Sequence, residues 1–168
     1  MSIEKELKNR ILVLDGAMGT MLLAYKFTEE DFRRERFKDY PTPLQGNIDL
    51  LSITQPEAIK TIHGKYFEAG ADIVETNTFS STTIAMADYQ LEDLFYELNY
   101  QSAKIAKEVA TEFTAKEPHK PRFVAGSIGP TNRTASMSPD VNDPGYRAVT
   151  FTWEKLDYID TIKNKFNL

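Results

Sequence analysis

The amino-acid sequence predicts an α/β fold, in which helical crossovers connect the strands of a parallel sheet. Three short apolar runs with strand character alternate with longer segments whose apolar residues recur at helical spacing. Each run ends in polar residues or glycine, at the end of the strand where α/β sheets place their ligand sites. The sequence therefore predicts an α/β domain with a ligand site at the carboxyl-terminal edge of its sheet.

The first unit combines a strand, a tight turn and a helix. Residues 11–14 (ILVL) form a continuous apolar run that predicts a buried strand, and Asp15-Gly16 ends it. The apolar residues that follow recur at helical spacing: Met18, Met21, Leu22 and Tyr25. A helix is therefore predicted to begin near Ala17.

The second unit follows a long excursion over residues 27–53, which carries many charged and turn-forming residues. The pattern Thr54-Gln-Pro-Glu57 predicts a capping box with proline in the first turn of a helix. An apolar stripe at helical spacing comes next: Ile59, Ile62, Tyr66 and Phe67. The helix is predicted to end at Gly70, and residues 72–76 (DIVET) predict the second strand.

A long helix and a third strand complete the alternation. The helix carries its apolar residues on one face: Leu91, Leu94, Leu98, Ile105, Val109 and Phe113. It is predicted to break at Glu117-Pro118, and residues 122–125 (RFVA) predict the third strand. Residues 131–149 lack periodicity and predict a long loop. Helical spacing returns at the end of the chain, in Trp153, Leu156, Ile159, Ile162 and Phe166.

Composition and charge exclude several classes of function. The chain has 168 residues, 41% of them apolar and 27% charged, as expected for a globular domain. Its net charge of −5 argues against nucleic-acid binding, which depends on clustered basic residues. Cysteine is absent, which excludes disulfides and thiolate metal sites, and His63 and His119 are expected to be structural or surface residues. No signal peptide or membrane span is predicted, so the cytoplasm is the expected location.

The turn DGAMGT, residues 15–20, has the chemistry of an amino-acid site. Neither the glycine spacing of a dinucleotide fold nor that of a P-loop is present, which argues against a nucleotide. The N–H groups that begin the following helix could bind a carboxylate, and Asp15 could bind an ammonium group. The simpler alternative is that Asp15 only caps this helix and the glycines only permit the turn.

Polar residues also follow the second and third strands. Glu75, Thr76 and Asn77 begin a loop rich in hydroxyl groups, which suits contact with a polar substrate. Glu75 is interpreted as an orienting residue rather than a general base. Ser127 to Gly129 supply a backbone that other groups can approach closely, with a simple turn as the alternative.

Four segments of the chain resemble the N-terminal homocysteine-binding module of cobalamin-dependent methionine synthase. They occur in the same order: VLDGAMGTML, GNIDLLSITQPE, FEAGADIVETNTFSSTTIAMADY and VAGSIGPTNRTASMSPDVNDP. The resemblance implies a (β/α)8 TIM barrel that binds homocysteine and a zinc ion held by three cysteine thiolates. Zinc would bind the homocysteine sulfur as a thiolate, which takes a methyl group from methylcobalamin carried on another module. A further module would recharge the cobalamin from methyltetrahydrofolate.

Site residues follow from the same resemblance. Asp15 matches the acid that meets the homocysteine amino group, and the backbone of Gly16, Ala17 and Met18 matches the place of its carboxylate. Thr76, Asn77 and Ser127 match the lining of the pocket, and Glu75 is included with them. No catalytic residue and no metal ligand is assigned, because the cysteines of the family are absent.

The resemblance extends from about residue 10 to Phe151, which predicts an incomplete barrel of about three strand–helix units over residues 1–151. Residues 152–168 are expected to be a helical tail that does not match. The expected function is that of a methionine synthase fragment that binds homocysteine. This chain alone is expected to hold neither zinc nor methylcobalamin. Its expected partners are the missing barrel half and the cobalamin and folate modules. Two alternatives stay open: an inactive remnant that serves as a binding or assembly piece, and a small doubly wound α/β domain unrelated to methyl transfer.

Overall fold

A computed structural model describes residues 2–130, together with Asp140, Asn142, Asp143 and Gly145. The chain divides into two compact units, residues 1–130 and 131–168. The fold described below is that of the first unit. The predicted boundary at residues 151–152 and the predicted terminal helix lie outside the described residues, as does most of the loop predicted over 131–149.

Helices account for most of the regular structure in the described residues. The α-helices are α1 (Ile3–Leu7), α2 (Met18–Leu23), α3 (Glu29–Arg33), α4 (Leu51–Thr54), α5 (Pro56–Glu68), α6 (Thr83–Met86) and α7 (Phe95–Lys116). Short 3₁₀ turns lie at Ile48–Leu50, Ala87–Tyr89 and Glu92–Leu94. Among these helices none is long and apolar enough to cross a membrane.

Two short strands form a parallel sheet, which confirms the predicted strand direction. Strand β1 (Ile73–Glu75) pairs with β2 (Phe123–Ala125), and Ile73 lies opposite Phe123. Leu14 forms a single parallel bridge with Ile73 on the other side of β1. The described residues therefore have a mixed α/β fold in which parallel segments succeed one another in chain order.

The expected buried strand at residues 11–14 is wrong in part. The segment lies beside β1, because the N–H groups of Asp72 and Ile73 both donate to the carbonyl of Val13, at 2.8 and 3.1 Å. However, only Leu14 has a strand bridge, and Ile11 is 89% exposed. The apolar core under the sheet forms instead around Val74, where α5 and α7 pack. An apolar run alone does not reveal which neighbours will cover it.

Two long helices supply a large part of the core, as their periodicity predicts. The buried residues of α5 and α7 include Ile59, Ile62, Phe67, Leu98, Ile105 and Val109. Leu91 is buried too, although α7 begins only at Phe95, after a 3₁₀ turn. Gly70 adopts a φ of 110°, a left-handed conformation that suits glycine just after the end of α5.

The capping box predicted at Thr54 and Glu57 is wrong. Thr54 is the last residue of α4, and its hydroxyl donates to the carbonyl of Leu50. Gln55 takes the N-cap position of α5 without a side-chain hydrogen bond, while Pro56 begins the helix as predicted. The excursion before it contains its own short helices, so Thr54 already belongs to a preceding element.

Candidate functional site

A cleft of about 630 Å³ opens where the segment ending at Leu14 and the strands β1 and β2 reach their carboxyl ends. The structure brings all the sequence-predicted site residues together around it: Asp15, Gly16, Ala17, Met18, Glu75, Thr76, Asn77 and Ser127. Residues 46–49 form the opposite wall. Segments that are distant in sequence thus surround one concave site.

Asp15 is a partly buried carboxylate at this cleft. Its Oδ1 accepts a hydrogen bond from the backbone N–H of Glu75, at 3.0 Å. Burial, with a smaller contribution from the charge of Glu75, raises the pKa of Asp15 to about 6, while backbone hydrogen bonds act in the opposite direction. Helix α2 takes Ala17 as its N-cap residue and has no side-chain cap. The interpretation of Asp15 as a helix cap is therefore wrong.

The turn after Asp15 presents unused hydrogen-bond donors. Within residues 2–130, the N–H groups of Gly16, Ala17 and Met18 donate to no other group. Gly16 and Ala17 are exposed, and all three residues line the cleft. Since α2 has only six residues, individual N–H groups rather than a long helix dipole would carry the recognition of an anion here.

Hydroxyl groups after β1 connect two walls of the cleft. The Oγ1 atoms of Thr76 and Thr78 lie 2.7 Å apart. Thr76 Oγ1 accepts from the N–H of Ser127 at 3.0 Å, and Thr78 Oγ1 donates to the carbonyl of Ser127 at 2.8 Å. Both threonines are buried. Their hydroxyls therefore hold the loops after β1 and β2 together, a role that the residue types alone did not reveal.

The side-chain amide of Asn77 donates its hydrogen bonds to groups inside the protein. Its Nδ2 donates to the carbonyl of Ile48 at 2.9 Å and to Ser52 Oγ at 3.1 Å. Ser102 on α7 completes the cluster, with its Oγ 2.7 Å from Ser52 Oγ and 3.1 Å from the carbonyl of Asn77. Asn77 thus fixes the base of the loop that it begins.

Asp49 is a cleft residue that the sequence reasoning missed. It is only 4% exposed, and its Oδ2 accepts from the N–H of Ser80 at 2.7 Å and from Ser81 Oγ at 2.8 Å. Burial raises its pKa to about 6, although these hydrogen bonds act in the opposite direction. A single acid inside the charged excursion carries no local signal, because its partners lie about 30 residues away.

Gly129 allows the loop after β2 to pack tightly against the loop after β1. Its N–H donates to the carbonyl of Phe79 at 3.0 Å. A Cβ atom at this position would lie 2.4 Å from that carbonyl oxygen, closer than nonbonded atoms approach. Of residues 127–129, which were predicted to let other groups approach their backbone closely, Gly129 is the one where this occurs.

Neither histidine lines this cleft. His63 is fully buried on α5, which lowers its pKa to about 4, and His119 is exposed, as expected for structural and surface residues. The described residues contain no group of three His, Cys, Asp or Glu that could hold a metal ion.

Known proteins give the cleft a family context. Residues 12–160 match the family model for homocysteine S-methyltransferase. Similar structures include homocysteine methyltransferase MmuM from Escherichia coli in its oxidized form, with 28% identity and a TM-score of 0.57 over 74% of this chain. The metallated form has 26% identity and a TM-score of 0.59 over 76%, and the apo form 25% and 0.52 over 76%.

Coverage of these relatives is partial. This chain covers 39% of the oxidized, 41% of the metallated and 40% of the apo structure, so it spans about two fifths of the length of MmuM. The family match nevertheless includes every residue of the cleft. The chain belongs to the homocysteine S-methyltransferase family.

Proposed function

We propose that the cleft binds the amino-acid end of homocysteine, the methyl acceptor of this family. Asp15 would bind the ammonium group, and the N–H groups of Gly16, Ala17 and Met18 would bind the carboxylate. The observation that carries the proposal is this juxtaposition of a partly buried carboxylate and unused backbone donors in one cleft. A carboxylate at one end of the turn and partly positive N–H donors at the other match a zwitterion rather than a simple anion or cation.

The rest of the cleft suits the remainder of the ligand. Met18, Ile48 and Met86 contribute apolar lining, against which a methylene chain and a sulfur atom can pack. Above pH about 6 the carboxylate of Asp15 is ionised and competent to bind an ammonium group. These residues bind and orient the ligand, and none of them is assigned a catalytic step.

At a finer level, we propose that this chain is part of the homocysteine-binding barrel of a cobalamin-dependent methionine synthase. Support comes from the four ordered segments of resemblance and from the family match over residues 12–160. In that enzyme a zinc-bound homocysteine thiolate takes a methyl group from methylcobalamin. The present chain has no cysteine, so its residues do not fit a site of three thiolates. No step is therefore derived through zinc, and neither cofactor is proposed to bind this chain alone.

A second candidate is a binding or assembly piece without methyl transfer of its own. The observation that favours it is that the residues of this chain supply none of the three thiolates. Family membership argues against the other alternative, a doubly wound domain unrelated to methyl transfer. The proposed partners are a chain or segment with the remaining barrel strands and the cobalamin and folate modules.

Calorimetric titration of the 168-residue chain with L-homocysteine, under reducing conditions, tests the proposal. We expect saturable binding that is unchanged by added zinc, and no methyl transfer when methylcobalamin is supplied. Absence of homocysteine binding would overturn the proposed substrate. Zinc-stimulated binding would show that other residues replace the thiolates, and methyl transfer would favour an active enzyme over the binding piece.

A further inference from the structure

Asp49 connects two walls of the cleft that are far apart in sequence. It lies in the 3₁₀ turn Ile48–Leu50 on one wall, and its Oδ2 accepts from Ser80 N–H and Ser81 Oγ on the other. Both distances, 2.7 and 2.8 Å, are those of strong, charge-assisted hydrogen bonds. One carboxylate oxygen therefore fastens two consecutive residues of the loop after β1.

The rest of this loop is held by different groups. Asn77 anchors its base to Ser52, and Thr78 links it to the carbonyl of Ser127 after β2. Thr82 ends the loop as the N-cap of α6, accepting from the N–H of Ala85 at 3.1 Å. In the described residues, Asp49 is the group that ties Ser80 to the opposite wall.

The two oxygens of Asp49 have different surroundings. Oδ2 carries both hydrogen bonds, while Oδ1 has no hydrogen-bond partner in the described part of the chain. Asp49 is 4% exposed and lines the cleft. The side chain thus supports the wall of the cleft from a position at its surface.

We propose that Asp49 is a positioning residue, which fixes Ser80 and Ser81 and thereby sets the shape of the cleft for its ligand. Carboxylates are rarely buried unless several donors satisfy them, and burial opposes the ionised form here. A purely apolar residue would fill this volume at lower cost, but it would leave Ser80 N–H without an acceptor. The ligand part of this inference rests on the proposed binding of homocysteine, whereas the part about the loop does not.

Two variants separate hydrogen bonding from volume. In Asp49→Asn the amide oxygen can replace Oδ2 and accept both hydrogen bonds, whereas Asp49→Ala removes them. Ser81→Ala removes the side-chain donor from the other wall. Val109→Ala is the control for general loss of stability, since Val109 is buried on α7 and does not line the cleft.

The first measurement is hydrogen exchange of residues 77–83 in the full 168-residue chain, without ligand. We expect Asp49→Ala to raise the exchange rate of Ser80 N–H by at least ~10-fold, since it loses a charge-assisted acceptor. The exchange rate of Ser80 N–H in Asp49→Asn should stay within ~3-fold of the wild-type rate. In Val109→Ala, exchange of residues 77–83 should increase no more than exchange in the rest of the chain. Equal protection of Ser80 in the wild type and Asp49→Ala would overturn the proposal.

The second measurement is the Kd of L-homocysteine by calorimetry. We expect Asp49→Ala to raise Kd at least ~10-fold and Ser81→Ala to raise it less. The double variant should lose less binding free energy than the two single variants added together. Asp49→Asn should restore affinity, and Val109→Ala should lower Tm without changing Kd. If the wild type binds but Asp49→Ala binds equally well, the positioning role is wrong. If the wild type does not bind, the proposed function fails, and the exchange measurement still decides whether Asp49 fixes the loop.

Discussion

The carboxylate of Asp15 accepts a hydrogen bond from the backbone N–H of Glu75, and this contact joins the ends of two parallel segments. It fixes the acid at the cleft in a partly desolvated position, where ionisation is costly and a bound cation would relieve the cost. The same contact allows a clean test, because an asparagine can accept the bond from Glu75 without carrying the charge.

Asp15→Asn should weaken homocysteine binding while preserving the fold. Loss of a charged hydrogen-bond partner corresponds to about 1.5–3 kcal/mol, or a rise in Kd of at least ~10-fold at pH 7.5. Calorimetry measures the change, and the thermal melt checks the fold. Asp88→Asn is the matched control, since Asp88 is an exposed carboxylate lining the same cleft and should change Kd by less than ~2-fold. Equal effects of the two variants would mean that net charge, rather than Asp15, attracts the ligand.

Homocysteine affinity should decrease as the pH is lowered through about 6. The pKa of Asp15 in the free protein is about 6, and only the ionised carboxylate pairs with an ammonium group. Calorimetric Kd values between pH 5 and 8 measure the profile, which should be much flatter in Asp15→Asn. Asp49 also has a pKa raised to about 6, and the same measurement on Asp49→Asn shows whether its titration contributes to the slope. A flat profile in the wild type would contradict the role of Asp15.

Local periodicity was sufficient to predict the helices that form the core. The stripes of α5 and α7 specify a buried face wherever the rest of the chain packs, since residues three and four apart lie on one side of a helix. Burial of the run at residues 11–14 depended instead on which neighbours cover it, and Ile11 is largely exposed. The predicted capping box was wrong for a similar reason, because Thr54 is the last residue of α4 and does not cap α5.

The position of the candidate site was predicted from the ends of its strands, but the hydrogen bonds between its loops were not. Parallel strands in sequence order bring their carboxyl ends together, so Asp15, Glu75 and Ser127 could be placed at one cleft from sequence. Asp49 comes from the excursion before α5, where no strand or motif marks it. Its contact with Ser80 depends on how that excursion folds back, which is a tertiary property without a local signal.

His63→Leu should stabilise the protein, and more so at acidic pH. His63 is fully buried with both ring nitrogens lacking hydrogen-bond partners in the described residues, a cost of about 1–3 kcal/mol that an apolar side chain avoids. Burial lowers its pKa from 6.5 to about 4, so on acidification the unfolded chain binds a proton first. The stability of the wild type therefore falls between pH about 6.5 and 4, and this loss is absent in the variant.

Thermal melts between pH 4.5 and 7.5 measure this difference. The Tm of His63→Leu should exceed that of the wild type at pH 7.5, and the gap should widen as the pH decreases. His119→Gln serves as the control, because His119 is exposed and its replacement should leave Tm nearly unchanged. A gap that narrows on acidification would show that the folded protein protonates His63 readily.

Gly129→Ala should destabilise the protein, whereas Gly126→Ala should be tolerated. An alanine Cβ at position 129 would lie 2.4 Å from the backbone oxygen of Phe79, so the loops after β1 and β2 would have to separate. At position 126 a Cβ meets nothing within 4 Å. We expect a loss of about 1–3 kcal/mol in the free energy of unfolding for Gly129→Ala, measured by urea denaturation, together with weaker homocysteine binding because Phe79 lines the cleft. Equal stability of the two variants would show that the approach of Gly129 to Phe79 is not required for the fold.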